Sequence, residues 1–233
     1  MRIVTRPDLD GVVCAALLCA VEPIAAPVHW ASPNEMQEGM VEVRAGDIIA
    51  NLPYHPNCSL WFDHHYSNRI DAPFKGAFRL EPSAARVVYD YYKGKFPCEY
   101  ENMVGETDKI DSAAFSMDEV IHPENHPYLL LSMTIQPHCE ADAPYWNLLV
   151  YLLQTGDIGT VMKHPEIRQR CGETIERNKA YENHLKAHTK INGNVAVTDF
   201  RSFDPKPRGN RYLVYALYPE TMAHINIGCH DQD

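Results

Sequence analysis

Four short clusters in this sequence carry side chains able to hold a divalent cation. They are Asp8-x-Asp10-Gly11, a turn at Asn51, Asp63-His64-His65 and Asp108-x-x-Asp111. Carboxylates packed together raise one another's pKa unless a cation sits among them. Mixed aspartate and histidine ligands with water suit Mn²⁺, Mg²⁺ or a similar ion. Such an ion polarises a bound oxygen and acidifies a bound water, which is the chemistry of metal-assisted hydrolysis. Each cluster alone has a plainer reading. Asp8-x-Asp10-Gly11 is also what a turn and helix cap look like. Asp63-His64-His65 suits a solvated loop, and Asp108 and Asp111 suit the surface of a helix. Their occurrence together, with the first three directly behind apolar runs, favours a joint role.

The elements that must position them follow from those runs. Ile3-Val4-Thr5 reads as a strand ending in Arg6-Pro7-Asp8-Leu9-Asp10-Gly11, and Val12 to Ala20 as a buried helix. Strand, acidic glycine turn and buried helix open a βαβ unit. Val28 to Ala31, Asp47 to Ala50 and Leu60 to Phe62 read as further strands, covered on both faces as in a parallel sheet. The carboxyl ends of such strands line one crevice, where ligands bind. Ser83 caps a helix through Tyr92. Pro127 to Ile135, Tyr145 to Gln154 and Pro165 to His188 are helical, the last a long exposed connector. After Gly193, Val195 to Thr198, Arg211 to Tyr218 and His224 to Cys229 read as strands. The expected fold is thus α/β: a parallel-sheet domain with a helical second half over residues 1–188, then a β-rich, incomplete domain over 189–233. A piece that small buries too little surface to stand alone. It must dock on the first domain or on another chain, so a homodimer is one expectation.

Composition narrows the function classes. The chain has 233 residues and a net charge of −10. Binders of long nucleic acids are usually basic, because phosphate contacts dominate their affinity. Small phosphorylated substrates, including a short single-stranded oligonucleotide, remain compatible with an acidic protein that has a local cation. No apolar run approaches the ~20 residues needed to span a bilayer. The seven cysteines are odd in number and form no Cys-x-x-Cys pair. A reduced, cytoplasmic protein without membrane contact is expected.

Asp8-Leu9-Asp10-Gly11 followed by Asp63-His64-His65 resembles the DHH phosphoesterase superfamily. The stretches Asn51-Leu52-Pro53-Tyr54, Trp61 to His65 and Thr107 to Ser112 are similar to its exopolyphosphatase-like branch, as is Thr198 to Phe203. The resemblance implies two divalent ions, usually Mn²⁺, bridged by the attacking water. It implies Asp8 at one metal, and Asp10, His64 and Asp108 at the other. It implies that His65 contacts the substrate phosphate and that Asp63 orients the neighbouring histidine.

Two departures shape the expectation. Arg6 stands where the family carries a histidine ligand, and Asn51 where it carries a bridging aspartate. The metal set is therefore Asp8, Asp10, Asn51, His64 and Asp108, with one ion firm and the second weak. Arg6 joins His65 and Asp63 as a catalytic candidate, because it brings a fixed positive charge. The family's Gly-Gly-Gly-His segment is missing, and Gly228-Cys229-His230 reads as a strand end and no substitute. Arg201 and Arg211 are candidates for phosphate contact, alongside the plainer reading of surface ion pairs. The expected activity is metal-dependent hydrolysis of polyphosphate, pyrophosphate or a short oligonucleotide. The alternatives are a non-catalytic phosphate- or nucleotide-binding module with a degenerate site, and a truncated enzyme.

Overall fold

The computed structural model describes residues 1–228 except His138 and Gly156, and of Glu140 only the backbone. Residues 229–233, and with them most of the Gly228-Cys229-His230 segment, lie outside the described residues. In chain order the helices are α1 (Leu9–Val21), α2 (Pro33–Gln37), α3 (Ala84–Tyr91), α4 (Glu99–Asp111), α5 (Met117–Ile121), α6 (Pro127–Ser132), α7 (Ala143–Thr155), α8 (Ile158–Val161), α9 (Pro165–His188) and α10 (Leu213–Leu217). The strands are β1 (Arg2–Thr5), β2 (His29–Trp30), β3 (Asp47–Ala50), β4 (Leu60–Asp63), β5 (Gly76–Phe78), β6 (Thr189–Asn192), β7 (Val195–Asp199) and β8 (Ala223–Ile227). No described helix is long and apolar enough to cross a membrane. The chain forms two compact units, Met1–Ala114 with Ile135–His164, and Phe115–Thr134 with Pro165–Asp233.

The first unit is built on a five-stranded, all-parallel sheet in the order β2-β1-β3-β4-β5. This is the α/β architecture read from the sequence. Parallel strands need both faces covered. One face packs Val4, Ile49 and Trp61 over Val41, Val43 and Leu52. The other receives α1, whose residues from Leu9 to Leu18 are all buried. That helix is apolar all round, as a helix enclosed by others must be. It lies against α7, α3 and α4. In this strand order the chain reverses direction between β1 and β3, which opens a crevice at their carboxyl ends.

The β1–α1 turn is tight. Asp8 caps α1 by accepting from the Gly11 amide at 2.8 Å. A Cβ on Gly11 would fall 1.9 Å from the Arg6 carbonyl oxygen, so only glycine fits there. Asn51, directly after β3, has φ 57°, a left-handed conformation that asparagine tolerates better than most residues.

The second unit corrects two expectations. Pro165–His188 is no exposed connector. Ile167, Cys171, Thr174, Asn178, Tyr181 and Leu185 recur every three or four residues along it and are buried. That stripe gives the helix a packed face. Residues 211–218, read as a strand, instead contain the helix α10. Short apolar runs do not separate the two by pattern alone. The neighbouring strands decide it. β7 and β8 pair in parallel, and parallel neighbours need a crossover rather than a hairpin turn. The α10 helix lies in that crossover, with Leu213 and Val214 buried against Tyr181, Leu185 and Phe200. β6, which the sequence reading passed over, is the antiparallel partner of β7 across Gly193 and Asn194.

Candidate active site

The carboxyl ends of β1, β3 and β4 deliver the chemistry-bearing residues to one place. β1 ends just before Arg6, Asp8 and Asp10, β3 just before Asn51, and β4 carries Asp63, then His64 and His65. Asn51 donates its Nδ2 to Asp8 Oδ1 at 3.0 Å, joining β1 to β3 across the switch point.

Asp10 is buried. Its two oxygens accept from the amides of Ala84 at 2.9 Å and Ala85 at 2.8 Å, at the start of α3. The positive end of a helix suits a carboxylate. Burial and the charges of Asp111 and Asp8 nevertheless raise its pKa well above the usual range. Burial also raises Asp111, against the pull of His64, His65 and Arg6. It carries Asp8 up to about 6, opposed mainly by Arg6 and the Gly11 amide. Three acids held this way want a cation.

His64 faces two of them. Its Nε2 lies 3.3 Å from Asp111 Oδ2 and 3.8 Å from Asp10 Oδ2. Ligand atoms of Asp10, His64 and Asp111 all fall within 4.8 Å of one another. On the far side of the ring, His64 Nδ1 lies 3.0 Å from the Glu81 carbonyl oxygen. A carbonyl only accepts, so the ring proton belongs on Nδ1 and the lone pair on Nε2. That Nε2 is buried without a hydrogen-bond partner, as is Asn51 Oδ1. Unpaired acceptor atoms among carboxylates fit a divalent cation, and a histidine braced through its other nitrogen is the usual metal-binding arrangement.

His65 is held differently. Its Nδ1 donates to Asp63 Oδ1 at 2.8 Å, which leaves Nε2 for a ligand. This hydrogen bond is the main reason its pKa is raised. Asp63 is itself fully buried and accepts from the His64 and His65 amides and from Asn68 Nδ2 at 2.6 Å.

The structure therefore brings Asp8, Asp10, Asn51, His64 and His65 together. The Asp108 carboxylate is engaged elsewhere: it accepts from Ser83 Oγ at 2.6 Å and Arg86 Nε at 2.9 Å. Asp111 stands beside His64 instead. The two acids lie three residues apart on α4, about 4.5 Å along its axis. Asp111, the last residue of the helix, is the one that reaches His64. Asp111 lies in the same Asp-x-x-Asp pair, of which the resemblance implies Asp108 as the ligand, and no signal in the sequence points to the Ser83–Arg86 clasp on Asp108. Arg201 and Arg211 belong to the second unit. Arg201 makes a two-pronged ion pair with Asp199, at 2.9 and 2.7 Å. Arg211 stacks on the Tyr212 ring, 4.9 Å from its centroid.

An open parallel α/β unit with a carboxylate–histidine centre at its switch point is a class in which small phosphorylated ligands are commonly handled. Comparison with solved structures makes this more particular. The chain superposes on the pGpG-specific phosphodiesterase PggH from Vibrio cholerae with a TM-score of 0.86, at 31% identity, covering 99% of this chain and 79% of that one. It belongs to the family of that phosphodiesterase. An uncharacterized protein from Helicobacter pylori G27 matches at 12% identity over 98% of this chain and 83% of that one, with a TM-score of 0.34, too slight a likeness to inform the fold. No family model and no curated protein matches the sequence.

Proposed function

We propose that this chain is a metal-dependent phosphodiesterase of the DHH superfamily that hydrolyses a short oligonucleotide in the cytoplasm. The observation that carries the reading is His64. A buried imidazole nitrogen holds its lone pair toward Asp10 and Asp111 and has no donor to satisfy it. In this reading Asp10, His64 and Asp111 hold one divalent ion, Mn²⁺ or Mg²⁺. When bound, that ion would polarise a phosphoryl oxygen and lower the pKa of a water. Asp108 acts indirectly, fixing α3 through Ser83 and Arg86 so that the Ala84 and Ala85 amides meet Asp10. Asp63 holds His65 with its Nε2 free. His65, protonated, gives its proton to the leaving oxygen as the ester bond breaks.

The named activity of PggH on pGpG favours a dinucleotide over polyphosphate or pyrophosphate. A second reading is a non-catalytic phosphate- or nucleotide-binding module. It draws on the ion pair of Asp8 with Arg6, 2.9 Å apart, which leaves a first metal position without an available carboxylate. Turnover separates the two. Chelated protein reloaded with Mn²⁺ should convert pGpG to mononucleotides, with pyrophosphate and polyphosphate cleaved at least ~100-fold more slowly, a discrimination within reach of contacts to the extra groups of the better substrate. Saturable binding of pGpG without cleavage under any divalent metal would establish the binding module.

A further inference from the structure

Arg6 is the cation this crevice already contains. Its Nε lies 2.9 Å from Asp8 Oδ2, and its side chain is 40% exposed. Among the described residues, its two Nη atoms make no hydrogen bond to a protein acceptor. Arg6 directly follows β1 and pairs with Asp8, two residues from Asp10 of the metal-capable trio. Its backbone is held. The Asp8 amide donates to the Arg6 carbonyl at 3.0 Å, and Gly11 packs closely over that carbonyl.

Asp8 is already engaged on both of its oxygens. Oδ1 accepts from the Gly11 amide at 2.8 Å and from Asn51 Nδ2 at 3.0 Å, while Oδ2 faces Arg6. A carboxylate that accepts two hydrogen bonds and pairs with a guanidinium offers a second dication less than a free one does. Cleaving a phosphodiester builds negative charge on the non-bridging oxygens, and two cations across the phosphorus are a common answer. A planar guanidinium with two open N–H groups is shaped to meet two phosphoryl oxygens at once.

We propose that Arg6, anchored on Asp8, binds the non-bridging oxygens of the scissile phosphate and takes the part of a second metal, so that the site works with a single divalent ion. This rests on the phosphodiesterase reading above. The test uses the full chain, stripped with chelator and titrated with Mn²⁺, then with inorganic phosphate as the anion probe. Titration calorimetry should count one Mn²⁺ per chain. Arg6→Ala and Arg6→Gln should still take up Mn²⁺ at the His64 centre, which also shows that they are folded. Both should bind phosphate about 10- to 100-fold more weakly than the parent, the worth of a charge-assisted pair, with Arg6→Lys in between. Hydrolysis of pGpG should fall with phosphate affinity. Two tightly bound Mn²⁺ in the parent, or unchanged phosphate affinity in both Arg6→Ala and Arg6→Gln, would overturn the proposal. A parent that neither cleaves pGpG nor binds phosphate with Mn²⁺ overturns the phosphodiesterase reading itself. A parent that does both while the Arg6 variants match it overturns only the role of Arg6.

Discussion

At the scale of the residue, the five acids near the crevice divide by what holds them, with Asp63 bound to His65. Asp10 and Asp111 face His64, Asp8 faces Arg6, and Asp108 faces Ser83 and Arg86. Metal affinity should follow that division. His64→Ala should abolish Mn²⁺ binding, because it removes the only nitrogen ligand. Asp111→Asn should weaken it by about 10- to 100-fold or more, the scale seen even for groups one shell out from a metal. Asp108→Asn should cost less, and calorimetric titration reads all three. Equal losses for Asp108→Asn and Asp111→Asn would mean that α4 turns differently around the ion. The pH dependence of the metal-free protein follows from Asp8. Burial holds this carboxyl at about 6, above its value of 3.8 in an unfolded chain. Between those two values the folded state binds more protons than the unfolded one, so its stability falls as pH rises. Asp8→Asn removes that dependence. The gap in melting temperature between chelated parent and variant should therefore move in the variant's favour as pH climbs through this window. A gap that moves the other way would show that Arg6 dominates burial at Asp8. A paired substitution probes the same corner. Arg6→His with Asn51→Asp removes a fixed cation and supplies an imidazole and a carboxylate. A +1 charge and a dication ~4 Å apart repel by about 8 kcal/mol at an effective dielectric near 20, an upper-end figure because the side chain can swing away. The double variant should bind a second Mn²⁺ by elemental analysis. The single changes should do less, since the two residues share one carboxylate and their effects are coupled.

At the scale of the element, three strand ends and three helix ends make the site. The β1–α1 turn bears most of the constraint. It presents Arg6 and Asp8 on one side and caps α1 on the other, and it closes only because Gly11 has no side chain. Gly11→Ala places a methyl group 1.9 Å from the Arg6 carbonyl oxygen, so the turn must open. We expect a destabilisation on the order of 3 kcal/mol, at the large end for one substitution, read by denaturant unfolding. The surviving folded protein should lose phosphate affinity along with stability, because Arg6 shifts with the turn. Unchanged stability would mean that the turn has slack the structure does not reveal. The helix α4 makes a related point. Its residues Met103, Val104 and Thr107 are buried, and this packing fixes which of its last acids reaches the strand ends.

At the scale of the whole molecule, the chain carries a net charge of −10, and the crevice of its first unit holds Arg6 and a candidate cation-binding trio. Such a charge repels a long polyanion and leaves attraction to the crevice alone. We expect kcat/KM for a dinucleotide to exceed that for a 20-nucleotide strand by about tenfold or more. The dinucleotide rate should fall only shallowly with salt, because few phosphate contacts release few counterions. A steep salt dependence, or faster cleavage of the long strand, would point to an extended basic track elsewhere on the chain.

The sequence by itself determined the α/β class, the strands β1, β3 and β4, the helices α1 and α9, and the convergence of Asp8, Asp10, Asn51 and His64. The reason is local. Short apolar runs bounded by turns make parallel strands, and residues just beyond such strands share one edge. The same logic stops at Asp108 and Asp111. Their roles depend on how α4 is rotated against α3, and that is set by the packing of Met103 and Val104 and by Ser83 and Arg86, more than twenty residues away. It stops again at Arg211 to Tyr218. The same apolar residues serve a strand or a helix, and only the parallel pairing of β7 with β8, which requires a crossover, makes a helix the solution. Arg6 shows both sides. Its position beside Asp8 was legible in the sequence. That Asp8 is shared between Arg6 and Asn51 was decided by tertiary contacts, because Asn51 is brought over on a neighbouring strand to meet the other oxygen.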